Sequence, residues 1–137
     1  MGRILALDLG ARRIGVAVSD ELGITAQGMP TLERRNIRAD LDALAEIIRG
    51  RDVRLVVVGN PLHMSGDESP GSARAARFAD RLRRRAGVEV VLRDERLTSR
   101  EASRVLRESG ASIARRAQAV DKLSAVLILE SYLDSSS

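Results

Sequence analysis

The chain lacks cysteine and has almost no aromatic residues. Its 137 residues include no cysteine, no tryptophan, one phenylalanine and one tyrosine. The absence of cysteine excludes disulfides, thiolate metal sites and thiol nucleophiles. Since Phe78 and Tyr132 are the only aromatic residues, we do not expect a row of aromatic side chains on which the bases of a single strand stack.

Long apolar runs are also missing. No run approaches the roughly 18 residues of a membrane-spanning helix. The first residues lead directly into a predicted strand, so no secretion signal is expected. With 44% hydrophobic and 31% charged residues, the composition predicts one globular domain over residues 1–137, with a polar tail at 134–137 that frays. These features favour a cytoplasmic protein that does not contact a membrane.

The positive charge is carried almost entirely by arginine. Lys122 is the only lysine among 23 basic residues, and the formal net charge is +4. A planar guanidinium group suits phosphate recognition, and a basic domain suggests a nucleic-acid partner. A GC-rich genome, which replaces surface lysine with arginine, is the simpler explanation of the ratio. The net basicity itself still indicates nucleic acid.

Hydrophobic periodicity predicts the element order β-β-β-α-β-α-β-α-α. The first helix is expected to begin after an Asn36 cap and to end at Gly50. A capping box at Thr98 predicts a third helix that ends at Gly110. The remaining predicted elements are strands at 3–9, 14–19, 24–33, 53–58 and 88–92, helices at 72–85 and 121–133, and a mobile loop at 62–71.

The order of these elements predicts an α/β fold. Three consecutive strands joined by short turns are antiparallel, and crossover helices then add parallel strands on the other side. The expected result is a five-stranded mixed sheet, order 3-2-1-4-5, flanked by helices on both faces. The first strand is central, and its carboxyl end carries Asp8. Open α/β sheets bind ligands at this edge.

Three acidic residues are expected to meet at that edge. Asp8 interrupts an apolar strand, where an unpaired carboxylate is costly. Glu95 follows the fifth strand, roughly 10 Å from the first, and Asp121 is expected to open the last helix. Three converging carboxylates repel one another until divalent cations bind, as in two-metal phosphodiester hydrolases. Taken singly, each acid is more often a helix cap or an ion-pair partner than a functional group, so the prediction rests on all three reaching one edge of the sheet.

Basic side chains near the same edge are candidates for binding phosphates. Arg81 extends a helical stripe of arginines that could follow a nucleic-acid backbone, although a solvated helix face explains it equally well. His63, the only histidine, could orient a water, but a single loop histidine is usually incidental. The predicted nucleic-acid-binding residues are Arg12, Arg13, Arg74, Arg77, Arg96 and Lys122.

Several motifs together resemble the YqgF/RuvX family. The block Asp94–Ser99 is the most specific of them, whereas the Asp-x-Gly pattern at Asp8 alone would be weak. The resemblance covers nearly the whole chain with the motifs in order. The other motifs are Leu5–Gly10 with Arg13–Ala17, Val57–Leu62 with Gly66, and Val120–Ala125 continuing into Leu129–Leu133.

The resemblance implies a fold similar to ribonuclease H and RuvC. It also implies that Asp8, Glu95 and Asp121 are metal-binding catalytic acids, with Mg²⁺ or Mn²⁺ as cofactor. RuvC-like enzymes often take their second acid from the fourth strand. Here that strand ends in Gly59-Asn60-Pro61, so the role falls to Glu95. The chain departs from the family at Asn60, Ser99 and Ser124, and none of these departures removes an acid.

The expected function is metal-dependent endonuclease activity in 5′-end maturation of pre-16S rRNA during ribosome biogenesis. Its partners would be pre-rRNA and a ribosomal precursor particle. The first alternative is a Holliday junction resolvase acting on branched DNA, which requires two active sites on a dimer. No dimer seam is evident, so a monomer or weak homodimer is expected. The second alternative is a nucleic-acid-binding module with little catalysis. A phosphotransferase is disfavoured, because the chain is too short for two lobes and has no P-loop.

Overall fold

The computed structural model describes residues 2–61, 69–94 and 113–136, with the backbone alone for 113–121 and 136. The predicted helix between Thr98 and Gly110 lies outside these residues, as do His63 and most of the predicted loop at 62–71. The strands are β1 (Arg3–Leu9), β2 (Arg13–Ser19), β3 (Ala26–Glu33), β4 (Val53–Asn60) and β5 (Glu89–Asp94). The helices are α1 (Ile37–Gly50), α2 (Pro70–Ala86) and α3 (Ile113–Ser136).

The five strands form one mixed sheet in the order β3-β2-β1-β4-β5, which confirms the predicted topology. β1 pairs with β2 in antiparallel fashion and with β4 in parallel. A tight turn between β1 and β2, closed by the Gly10 N–H donating to the Arg13 carbonyl at 2.9 Å, enforces the antiparallel pairing. The central position of β1 explains why its middle residues are buried.

Alternation along β1 divides the core between the two faces of the sheet. Leu5 and Leu7 pack with α1 and α2, whereas Ile4 and Ala6 pack with α3. Because side chains two positions apart share a face, Asp8 belongs to the face covered by α3. The residues of α3 in this second core are Ala125, Ile128, Leu129 and Leu133.

The first helix begins and ends where the sequence predicts. The Asn36 side chain accepts a hydrogen bond from the Ala39 N–H at 2.9 Å, as an N-cap does. An unpredicted feature is the buried Asp40, which is 3% exposed. Its carboxylate accepts a hydrogen bond from the Arg35 N–H at 3.0 Å and lies 3.5 Å from the Arg34 guanidinium. Asp40 therefore ties the segment that precedes the helix to the first helical turn.

The second helix begins at Pro70 rather than at residue 72, so the predicted start is wrong. Ser69 is the N-cap, and its hydroxyl accepts a hydrogen bond from the Ser72 N–H at 3.0 Å. Proline is favoured directly after the cap, because its fixed φ fits the first turn and no N–H is needed there. The helix ends at Ala86, and the following Gly87, with a φ of 65°, provides the left-handed cap.

The apolar run 88–92 predicts a buried strand, but β5 is the edge strand of the sheet, which is the position that the predicted order also gives it. Val90 is buried, whereas Leu92 is 40% exposed. Among the described strands β5 pairs with β4 only, and it extends to Asp94 instead of ending at Leu92. An apolar run does not distinguish a central strand from an edge strand, which explains the error.

The last helix is much longer than predicted. It begins at Ile113 and not at Asp121, because the intervening residues are good helix formers without glycine or proline. Asp121 therefore lies more than two turns inside α3, and both its predicted position at the helix start and the alternative N-cap role are wrong. The helix continues through 134–136, where the Ser135 hydroxyl donates to the Tyr132 carbonyl at 3.0 Å, and the fraying expected at 134–137 stays a prediction. None of the described helices is long and apolar enough to cross a membrane.

Ser124 of α3 is a fully buried polar residue. Among the described residues its hydroxyl has no hydrogen-bond partner. An unsatisfied buried hydroxyl costs about 1–3 kcal/mol, and alanine has a higher helix propensity by a few tenths of a kcal/mol. We expect Ser124→Ala to raise the free energy of unfolding by roughly 1 kcal/mol in urea denaturation.

The control for this change is Ser131→Ala. The Ser131 hydroxyl accepts a hydrogen bond from the Arg93 guanidinium at 3.0 Å and is on the exposed side of α3. Removing it should leave the unfolding free energy unchanged or slightly lower. A urea midpoint for Ser124→Ala at or below that of the wild type would show that this hydroxyl is satisfied.

Candidate functional site

Asp8 is a buried carboxylate at the carboxyl end of the central strand. Asp8 as a whole residue is 7% exposed to solvent. Asp8 pairs with Gly15 of β2. On the other side Leu7 pairs with Val58 of β4, so the next residue, Gly59, lies beside Asp8. Two glycines therefore flank Asp8 on the neighbouring strands, and neither carries a side chain that occupies the space beside the carboxylate. A buried acid flanked by two glycine positions suits a ligand that approaches from the α3 face.

The third helix runs antiparallel to β1 across this face. Its C-terminal part lies at the amino end of β1, since a Cβ atom at Gly23 in the β2–β3 turn would be 3.8 Å from Leu133. Nearer the start of the helix, Lys122 lies against Gly28 of β3. A Cβ atom at Gly28 would be 2.6 Å from the Cε atom of Lys122. Following α3 toward its start thus leads toward the carboxyl end of β1. The backbone of Asp121 lies in this half of the helix, one turn before the buried Ala125.

The three-acid site itself stays a prediction. Of its members, only the Asp8 side chain is described. β5 ends at Asp94, opposite Asn60 of β4, and Glu95 is the next residue in the chain but lies outside the described residues. Within the described part of the chain, no three acidic or histidine side chains come together. Carboxylates are nevertheless the oxygen ligands that Mg²⁺ and Mn²⁺ prefer, so Asp8 fits such an ion.

The basic residues predicted near Asp8 differ in their surroundings. Arg12 is exposed in the β1–β2 turn. The Arg13 guanidinium lies 3.2 Å from the Glu33 carboxylate, which neutralises its charge. Lys122 reaches β3, two strands from β1. Arg96 lies outside the described residues. Arg12 is therefore the most accessible described cation near the end of β1.

The other predicted arginines lie on the opposite face of the sheet. Arg74 and Arg77 of α2 line a cleft of about 740 Å³ together with Arg34 and Arg81. This cleft is on the α1 and α2 side, whereas Asp8 belongs to the α3 side. The sequence pattern identified the stripe on α2 but could not show that it faces a cleft.

Arg34 and Asp40 were not identified from the sequence. A signal for Asp40 was present, because it lies three residues after Ile37 and four before Leu44, on the apolar stripe of α1. A charged residue on a buried stripe predicts an internal partner. The preceding segment supplies that partner in Arg34. No comparable signal exists for Arg34 itself.

Comparison with known proteins gives a consistent match along the chain. A family model described as "RuvX: Holliday junction resolvase" matches residues 2–135. A protein of Koribacter versatilis is 56% identical over 133 residues, which cover 97% of this chain and 87% of the relative. A protein of Myxococcus xanthus is 47% identical over 133 residues, covering 97% and 88%. Both relatives carry the name "Putative pre-16S rRNA nuclease".

Solved structures confirm the predicted fold. RuvC of T. thermophilus in complex with a Holliday junction substrate matches with a TM-score of 0.59 and 14% identity, covering 99% of this chain and 96% of that one. Fowlpox virus resolvase with its Holliday junction DNA matches with a TM-score of 0.61 and 13% identity, covering 98% of each chain. At such low identity the likeness concerns the fold, which is RuvC-like and belongs to the ribonuclease H type.

Proposed function

Because the chain belongs to the RuvX family, we propose that it is a metal-dependent endonuclease that matures the 5′ end of pre-16S rRNA. The names of relatives at 42–56% identity support the RNA substrate. The observation that carries the catalytic proposal is Asp8, a buried carboxylate between two glycine positions at the carboxyl end of the central strand. A carboxylate buried at the ligand-binding edge of the sheet is costly unless a cation or a hydrogen-bond donor meets it.

The proposed site contains Asp8, Glu95 and Asp121. Helical periodicity supports Asp121, because position 121 shares the stripe of Ala125 and Ile128, which pack on the Asp8 face. The chain order supports Glu95, since it directly follows β5. When bound by these acids, Mg²⁺ or Mn²⁺ supplies positive charge that stabilises the developing charge on phosphoryl oxygens. The acids hold their positions because strand and helix packing fix their backbones.

Basic residues near the edge would bind the phosphates beside the cleaved bond. Arg12 is exposed and close in sequence to Asp8, so it is our first choice for this role. Arg96 is the second, because it follows Glu95 directly. Arg13 would contribute less, since Glu33 already neutralises its charge. A ribosomal precursor particle, rather than free RNA, is the proposed setting, because the leader is cut from a particle that is being assembled.

The alternative is junction resolution. It is favoured by the description of the matching family model and requires a dimer that offers two sites to one junction. We propose a monomer or weak homodimer acting in the cytoplasm. A stable dimer in solution and on branched DNA would favour the resolvase.

A cleavage panel tests these proposals. Purified protein is incubated with pre-16S 5′ leader RNA, with unrelated single-stranded RNA and with a four-way DNA junction, each in Mg²⁺, Mn²⁺ or EDTA. We expect an endonucleolytic cut in the leader RNA that requires metal, with the junction intact. Junction cleavage without RNA cleavage would establish the resolvase instead. Tight binding without any cleavage would support the binding module, and cutting in EDTA would refute metal dependence.

A further inference from the structure

Half of the arginines on α2 are paired with acids. The Arg83 guanidinium lies 3.3 Å from the Asp80 carboxylate, and Arg84 also pairs with Asp80. Arg85 lies 2.9 Å from Asp42 of α1. The hydrogen bond from Arg84 holds the pKa of Asp80 below its ordinary value, so this carboxylate stays ionised. These three arginines share two carboxylates, so most of their charge is compensated within the protein.

The other three arginines of α2 differ in just this respect. Arg74, Arg77 and Arg81 are exposed, and none of them forms an ion pair with a described residue. Their spacing of three and four residues places them on one stripe of the helix. All three line the same cleft. Three like charges along one wall repel one another, which an anion in the cleft would relieve.

The floor of this cleft is apolar. It contains Leu9, Ile37 and Phe78, with Pro61 at one side. At about 740 Å³ the space between α1, α2 and the β1–β2 turn is large enough for a ligand the size of one or two nucleotides. An apolar floor with a cationic wall suits a ligand that has flat rings and several phosphates.

Arg34 lines the same cleft and is held in place by three contacts. Its Nη1 donates to the Gly10 carbonyl at 2.9 Å, and its Nε lies 3.5 Å from the Asp40 carboxylate. Its guanidinium also lies over the Phe78 ring, 5.9 Å from the centroid. Three contacts leave this planar group little freedom. Nucleobases stack on such fixed guanidinium planes.

The cleft adjoins the Asp8 strand. Leu9 and Gly10, which line the cleft, directly follow Asp8. Asp8 and the cleft are therefore on opposite faces of the sheet but at the same edge. A flexible strand that passes over this edge can reach both, whereas a straight duplex cannot bend into a recessed cleft of this size without a large deformation cost.

We propose that this arginine-lined cleft binds the single-stranded RNA that flanks the cleaved bond, with Arg74, Arg77 and Arg81 contacting consecutive phosphates. This inference rests on the proposed nuclease function. It adds the path of the strand, which crosses from the Asp8 face to the α1 and α2 face. It needs no row of aromatic side chains, because phosphate contacts and one fixed guanidinium hold the strand.

Binding of a fluorescent oligouridylate, measured by anisotropy in EDTA, tests the proposal without cleavage. Combined Arg74→Ala, Arg77→Ala and Arg81→Ala should weaken binding at least about tenfold. A plot of the logarithm of the association constant against the logarithm of the salt concentration should also become less steep. Its slope should shrink in magnitude by roughly 2, because each lost phosphate contact on a single strand accounts for about 0.7.

The matched control removes the same charge from the same helix. Combined Arg83→Ala, Arg84→Ala and Arg85→Ala should change the affinity by less than about twofold, since these side chains already have acidic partners. An equal loss in both triple variants would reduce the effect to net charge and overturn the proposal. Three other results would also overturn the proposal. The first is that polyglutamate competes as well as RNA for the protein, and the second is that single-stranded DNA of the same sequence binds more tightly than the RNA. The third is that binding of duplex RNA falls as much as binding of the single strand when the cleft arginines are removed.

Two further measurements separate this proposal from the nuclease function. Wild-type protein is cross-linked to oligouridylate that carries 4-thiouridine, and we expect the cross-link on the peptide that contains α2. A cross-link that is absent from this peptide would overturn the proposal, even if the triple variant fails to fold.

Oligouridylate binding is also measured with the Asp8→Asn protein. If that variant still cleaves RNA, the catalytic proposal fails while the cleft remains measurable. If the wild type cleaves and the cleft variant binds normally, the cleft proposal alone fails.

Discussion

Replacing Asp8 with asparagine is expected to lower the rate of nucleic-acid cleavage by about a thousandfold or more while the protein stays folded. Asparagine has nearly the same shape but carries no charge, so the proposed divalent cation would lose a central ligand. Because asparagine fills the same space and keeps one oxygen acceptor at this buried position, which is 7% exposed, we expect the protein to stay folded. Single-turnover cleavage rates and urea unfolding curves measure the two effects separately.

Asp52→Asn is the matched control for this experiment. It makes the same chemical change before the amino end of β4, at the opposite end of the sheet. Asp52 has a φ of 53°, a left-handed conformation that asparagine adopts readily. Its cleavage rate should equal that of the wild type. Cleavage by Asp8→Asn at the wild-type rate would remove Asp8 from the mechanism. Glu95→Gln and Asp121→Asn should behave as Asp8→Asn does if the three acids act together.

Truncating Leu129 to alanine is expected to have the largest effect on stability. Leu129 is fully buried where α3 packs on the sheet. Removing a buried leucine side chain typically costs 2–5 kcal/mol, so we expect a loss of about 3 kcal/mol. Because domains of this size are stable by only about 5–15 kcal/mol, the urea midpoint should fall clearly.

Leu22→Ala provides the comparison, since Leu22 is 67% exposed. Its unfolding free energy should stay within about 0.5 kcal/mol of the wild type. Leu129→Ala should also lower cleavage near its unfolding transition, because α3 carries Asp121. A Leu129→Ala protein as stable as Leu22→Ala would mean that α3 contributes little to this core.

The central part of the fold was predictable because local and global signals agree there. β1 alternates between two buried faces, and the run Val53–Val58 is apolar enough to identify an inner strand. Asn36 and Gly50 mark both ends of α1. Short turns then restrict the sheet to one order of strands. Each of these features depends on a few neighbouring residues, which the sequence displays directly.

The errors arose where the outcome depends on weak or distant interactions. The start of α3 reflects small helix propensities summed over the eight residues before Asp121, which give no sharp sequence signal. The exposure of Leu92 depends on β5 having a neighbour on one side only. In the candidate site, Asp8 was recognisable as a charge within an apolar run. The division of basic residues between two faces was not, because it depends on how the helices pack.

The packing of α3 against β1 also has a consequence for the synthesis of the protein. β1 leaves the ribosome long before α3, which begins only at Ile113. Until then the apolar face that contains Ile4 and Leu55 has no cover from α3, so the nascent chain needs protection from aggregation. On the proposed function, the unfinished chain also lacks Asp121, so the three-acid site becomes complete only after α3 has been made.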